Sequence, residues 1–139
     1  MRILVMGLPG SGKTTFAEKL KNELIECGRS VSWYNADIVR QQFDDWDFSE
    51  QGRLRQADRM KQLSIQSIDD FVISDFIAPT NKIREFFNPD IIVFMDTINQ
   101  SRFSDTDAIF ESPSNYDFKI TDYNYSINHI VCKLINDLH

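Results

Sequence analysis

A chain of 139 residues makes one compact domain, 1–139, with little room for a second. Apolar residues at 42% and aromatics at 12%, with eleven Phe, supply a core and exclude a disordered composition. Fifteen Lys and Arg against 21 Asp and Glu leave a net charge of −6, a field that repels polyanions and argues against nucleic acid as a partner.

In chain order, Ile3 to Met6 is an apolar run ending in glycines, as a buried parallel strand does. From Lys13 to about Cys27 the apolar residues Phe16, Ala17, Leu20, Leu24 and Ile25 recur at helical spacing, and Gly28 stands where a helix C-cap wants a left-handed residue. Val31 to Tyr34 reads as the second strand, followed by Asn35-Ala36-Asp37 and then a polar tract from Gln41 to Gln51. A long helix is expected over roughly Gly52 to Asp69, with strands at Phe71–Ser74, Ile91–Met95 and Phe118–Ile120. A last helix, capped by Ser126 or Asn124, carries the stripe Ile127, Ile130, Val131, Leu134, Ile135 and Leu138. Strands alternating with helices imply an α/β fold with a parallel sheet covered on both faces. The apolar start meets Gly7 and Pro9 too soon for a signal peptide, and no stretch approaches the ~20 apolar residues of a membrane span. Cys27 and Cys132 have no metal-type spacing; both are expected to be reduced and cytoplasmic, with Cys132 in the core.

The segment Gly7-Leu8-Pro9-Gly10-Ser11-Gly12-Lys13-Thr14 satisfies G-x-x-x-x-G-K-[ST] between an expected strand and an expected helix. Glycines let the backbone amides curl around phosphate oxygens, and the helix start adds the positive end of its dipole. Lys13 supplies a charge over the β- and γ-phosphates of ATP, the Thr14 hydroxyl can join a Mg2+ shell, and Thr15 continues the first turn. Asp37 and Arg40 form Asp-x-x-Arg on the same rim. A carboxylate there can take the proton of an attacking hydroxyl while the guanidinium forks onto an anion, or Asp37 merely caps a helix beside a solvated Arg40. Asp75 and Asp96, each ending a strand, are both candidates for the magnesium shell, with Asp75 favoured.

Further residues resemble the adenylylsulfate kinase family, which phosphorylates the 3′-hydroxyl of adenosine 5′-phosphosulfate in sulfate assimilation. After the phosphate loop come Asn35-Ala36-Asp37-Ile38-Val39-Arg40, then Asp47-Phe48-Ser49, then Arg53 and Arg59, then Ile77-Ala78-Pro79 with Arg84 following. The resemblance implies a three-layer P-loop NTPase fold of about five parallel strands in the order 2-3-1-4-5. It implies Asp37 as base, Arg40 and Arg53 holding the phosphosulfate, Phe48 stacking on the acceptor's adenine, and Ile77, Ala78 and Arg84 lining the acceptor site. On residue type alone, Phe48 could equally be a core aromatic, and Arg53 and Arg59 a solvated helix face. The chain departs from the family where Ile38 and Gln56 stand in place of asparagines, Asp58 in place of an arginine, and Thr80-Asn81 in place of an aromatic and an arginine. The family's helical lid is cut to Thr97–Asp117, in which Arg102 is the single basic residue. Arg102 then carries the catalytic charge alone, a partner subunit in a homodimer helps, or turnover is slow. Three readings stand: an adenylylsulfate kinase acting on a small-molecule nucleotide, a polynucleotide 5′-hydroxyl or nucleoside kinase, and a nucleotide-binding module without acceptor chemistry.

Overall fold

The computed structural model describes residues 1–138; His139, the last residue of the expected domain, lies outside them. The elements run β1 (Arg2–Met6), α1 (Lys13–Glu26), β2 (Val31–Asn35), α2 (Ala36–Phe43), α3 (Glu50–Gln66), β3 (Phe71–Asp75), α4 (Asn81–Phe87), β4 (Ile91–Met95), α5 (Ser104–Ile109), β5 (Phe118–Ile120) and α6 (Ile127–Leu138). All four strand pairings are parallel, and the sheet order is β2-β3-β1-β4-β5, the order expected.

Alternation along the strands builds three layers. Ile3 and Val5 of β1, Phe71 and Ile73 of β3, and Ile91, Val93 and Met95 of β4 pack with Phe16, Leu20 and Leu24 of α1 and Ile130, Val131 and Leu134 of α6. The opposite parity, Leu4 and Met6 with Phe94, packs against Val39, Ala57, Met60, Ile83 and Phe87 from α2, α3 and α4. Each of the larger of these side chains contributes about 1.5–3 kcal/mol by leaving water, which is why a sheet buried on both faces reads as unbroken apolar runs. The central register aligns Val5 and Asn35 with Asp75 on either side, so the carboxyl ends of β1, β2 and β3 meet on one rim.

The structure corrects several expectations. Ala36–Phe43 is a helix, capped by Asn35 and closed by Asp44 in the left-handed region, so the polar tract begins a turn later than expected. The helix expected at Gly52–Asp69 starts earlier, behind the Ser49 cap, and stops at Gln66. Two short helices, α4 and α5, had no sequence signal. Cys132 is exposed, not in the core: α6 turns Ile130, Val131 and Leu134 inward, and the next position rotates out. Ile25, at the end of α1, is likewise 48% exposed. The α6 cap is Ser126, whose hydroxyl accepts the His129 N–H at 3.3 Å.

Candidate active site

The phosphate loop occupies the turn between β1 and α1. Gly7 must be glycine because a Cβ there would lie 2.6 Å from the Met95 carbonyl oxygen. Gly12 holds φ 93°, and a Cβ on it would press on the Tyr123 ring at 2.9 Å. This residue is the N-cap of α1 and offers no side-chain cap, and no acidic residue follows in the first turn. The first intrahelical bond is the Phe16 N–H to the Gly12 carbonyl at 3.0 Å, which leaves the N–H groups of Lys13, Thr14 and Thr15 ahead of it for an anion. Lys13 Nζ folds back to donate to the Leu8 carbonyl at 3.0 Å. Burial pushes its pKa below the ordinary lysine value, against the pull of Asp75 and Asp37.

Asp75, 2% exposed, sits beside this loop at the end of β3. Three donors converge on its Oδ2: the Asn35 amide at 2.9 Å, the Thr14 hydroxyl at 3.3 Å and the Trp33 indole at 3.3 Å. Burial raises the Asp75 pKa, opposed by the Asn35 bond, the Lys13 charge and the other two donors. None of these donors uses Oδ1. A hydroxyl and a carboxylate side by side are hard oxygen donors of the kind magnesium takes, alongside phosphate oxygens and water, so the pair fits that ion. The described residues hold no group of three or more His, Cys, Asp or Glu that could cage a metal without phosphates. Asp96, the other sequence candidate, pairs with Lys119 at 3.5 Å and does not line this cleft.

The cleft above the loop measures about 780 Å³ and is lined from the loop side by Pro9, Gly10, Gly12, Lys13, Thr14 and Thr15. Asp37, exposed in the first turn of α2, opens on it, with Arg40, Phe48, Arg53, Ile77 and Ala78 at its far end. Gly7, Ser11 and Arg84 do not line it: Ser11 is wholly buried, and Arg84 is buried behind Ala78, whose carbonyl it binds.

The arginines are held by the protein itself. Arg40 is 5% exposed and donates to the carbonyls of Asp45 at 2.9 Å and Asp47 at 3.1 Å, its guanidinium 4.2 Å from the Phe48 ring centre. Arg53 is 7% exposed, donates to the Phe48 carbonyl at 2.8 Å and the Thr106 hydroxyl at 3.1 Å, and lies 5.6 Å from the same ring. Phe48 is therefore neither a core aromatic nor a free one: it is half-exposed, with two cations at its face. The loop from Asp44 to Ser49 closes tightly on α3, so that a Cβ on Gly52 would overlap the Asp47 carbonyl. Arg59 bonds Asp45 at 2.6 Å and Arg55 bonds both Asp45 and Asp47, which holds the Asp45 carboxyl far below its usual range. Arg84 donates to the carbonyls of Ala78, at 2.8 Å, and Glu111, and burial brings its pKa down to about 10. It holds Ala78 at φ 46°, a left-handed conformation that costs a non-glycine residue about 1–3 kcal/mol.

The shortened connection after β4 borders the mouth. Arg102 and Phe103 are exposed there, and Asp105 and Thr106 of α5 face Arg53. Sequence reading passed over Asn35, Trp46, Phe103 and Thr106. Only Asn35 had a local signal, a cap residue one step before a helix that periodicity was too short to reveal.

The sequence model of one family, described as adenylylsulphate kinase, matches residues 1–108. An adenylyl-sulfate kinase from Halothermothrix orenii is 35% identical over 83 residues, 57% of this chain and 44% of that protein. The bifunctional enzyme CysN/CysC of Rhodopirellula baltica is 30% identical over 87 residues, 60% of this chain and 13% of that protein. The chain thus spans less than half the length of both relatives. The structure of the Mycobacterium tuberculosis APS kinase CysC in complex with AMPPNP and APS superposes over 99% of this chain and 95% of that one, with TM-score 0.74 at 23% identity.

Proposed function

The chain belongs to the adenylylsulphate kinase family, and from that premise we propose that residues 1–139 form a single ATP-dependent kinase domain whose acceptor is the 3′-hydroxyl of adenosine 5′-phosphosulfate. The observation that carries the reading is one cleft with the phosphate loop at one end and Asp37, Arg40, Phe48 and Arg53 at the other. The Mycobacterium tuberculosis APS kinase CysC, which has the same fold, has a structure in complex with AMPPNP and APS, and this supports a reading with two nucleotide ligands.

ATP enters with its phosphates over the N–H groups of Lys13, Thr14 and Thr15, and Lys13 exchanges the Leu8 carbonyl for β- and γ-oxygens. Thr14 and Asp75 would hold the magnesium, which would supply charge neutralisation at the phosphates. Phe48 offers a ring face to the acceptor's adenine, as aromatic platforms do for bases. Arg40 and Arg53 keep the platform in place through the Asp45, Asp47 and Phe48 carbonyls and lend the acceptor's anionic groups a positive field. Asp37 accepts the 3′-hydroxyl proton as that oxygen attacks the γ-phosphorus in line and the β–γ bridging oxygen departs with ADP. Arg102 at the mouth adds charge where the family's longer lid would close. The setting proposed for this activity is the cytoplasm, in line with the two free thiols.

The test is to incubate the protein with γ-labelled ATP and magnesium against adenosine 5′-phosphosulfate, nucleosides and 5′-hydroxyl oligonucleotides. Label on adenosine phosphosulfate alone is the expected result. Label on an oligonucleotide or a nucleoside replaces the acceptor, and no label on any of them removes the kinase reading.

A further inference from the structure

Asn35 ends β2 directly opposite Asp75 of β3, and its side chain is bonded at both ends of the amide. Nδ2 donates to Asp75 Oδ2 at 2.9 Å and to Thr14 Oγ1 at 3.1 Å. Oδ1 accepts the N–H groups of Asp37 at 3.0 Å and Ile38 at 3.2 Å, which makes Asn35 the N-cap of α2. One planar group thus touches three elements: the helix that follows the phosphate loop, the rim carboxylate and the helix that carries Asp37.

We propose that Asn35 is a positioning residue that couples the Thr14–Asp75 oxygen pair to the placement of Asp37. The inference rests on the phosphotransfer reading above. The amide nitrogen donates to both oxygens, so the positive end of the amide dipole keeps them facing one another. Were Thr14 Oγ1 to offer one lone pair to a cation, the N–H bonded to its other lone pair would follow the hydroxyl as it re-aims, while the second N–H would stay on Asp75. The amide is rigid and planar, so any turn of its nitrogen moves the oxygen that caps α2, and with it the first turn that holds Asp37. Neither of the two usual replacements for a capping asparagine performs both halves. A carboxylate caps a helix equally well but meets Asp75 with like charge, and a serine hydroxyl caps but is too short to span both oxygens.

That chemistry gives a test separating positioning from capping. Asn35→Ser retains a good N-cap, so its thermal unfolding should stay close to that of the parent protein, whereas Asn35→Asp also caps α2 but sets a second carboxylate against buried Asp75 and should unfold at a lower temperature. In Asn35→Ser the gain in ATP affinity on adding Mg2+, measured by calorimetry with and without the ion, should shrink by about 10–100-fold, the usual loss when an outer partner of a metal site is removed. Turnover should fall by a comparable factor in both variants, with the acceptor KM held within about twofold. Parent-like magnesium dependence and turnover in both variants would mean that Asn35 only caps α2, and the proposal fails. A rise in acceptor KM alone would place Asn35 in the acceptor pocket and also overturn it. Should Asn35→Ser prove unstable, Asn35→Thr, which also caps a helix and carries no charge, takes its place in the test. If the parent protein labels no acceptor, the magnesium dependence of ATP binding still reports on Asn35, so failure of the kinase reading and failure of this one are told apart.

Discussion

The two ends of the cleft are built by different means. At the phosphate-loop end, backbone amides from consecutive residues face the ligand space, the helix dipole adds to them, and the Lys13 ammonium has a single carbonyl to leave. At the far end the chemistry is in side chains, and those side chains are already engaged: Arg40 and Arg53 bind the carbonyls of the very loop that presents Phe48. The first end is ready for its ligand with little rearrangement. The second is pre-organised as a platform, with its cations serving the shape of the protein before they serve an acceptor. A nucleotide tail common to many proteins needs only the first kind of site, while discrimination among acceptors needs the second.

Substitutions that act on one end alone sharpen this contrast. The largest effect belongs to Asp37→Asn, which should lower kcat by about 10²–10⁴-fold, the range for a general base, while ATP binding measured by calorimetry stays within about twofold. A variant that turned over normally would remove Asp37 from the chemistry. Lys13→Ala comes next, with a loss of about 10²–10³-fold in kcat/KM and weakened ATP binding, as for a lost charge at a transition-state oxygen. Phe48→Ala should raise the acceptor KM by the equivalent of about 1–3 kcal/mol of base stacking and leave the ATP KM alone; equal changes in both would break the comparison. Gly52→Ala forces the Asp47 carbonyl to move, at about 1–3 kcal/mol in thermal or urea unfolding, and should disturb the acceptor end only. The smallest effect concerns acid. The folded-state pKa of Asp45 is depressed by Arg55 and Arg59, so its stabilisation is present above the unfolded pKa of about 3.9 and lost as pH falls through the lower folded value. Asp45→Asn should flatten that part of an acid unfolding curve, and an unchanged curve would mean the pairs are idle.

The same contrast explains what the sequence disclosed. The phosphate loop was legible because eight consecutive residues carry the whole device, and strand β4 was legible to the residue because a largely buried run bounded by polar residues leaves little choice, while the three residues of β5 show only a single apolar–polar–apolar alternation. The helix α2 was hidden because eight residues give too few turns for periodicity, and α4 and α5, at seven and six, give fewer still. Cys132 was judged by residue type where helix phase decides: one step past Val131 is a rotation of about 100° toward solvent. Arg84 was placed at the acceptor site by the family resemblance, yet its partners are carbonyls of Ala78 and Glu111, and nothing local encodes that the chain returns to it 27 residues later. Asn35 was invisible as a coupler for the same reason, since its meaning depends on which residue of β3 lies beside it.

That dependence has a consequence for how the protein tolerates change. Side chains alternate between the two sides of a sheet, so deleting or adding one residue within β2 or β3 would turn Asn35 or Asp75 into the opposite layer and bring a neighbour into its seat. A point substitution on the rim removes one bond; a length change in a strand dissolves the row. Natural variation in this chain should accordingly be free with insertions in the turns between elements and nearly silent within β1, β2 and β3.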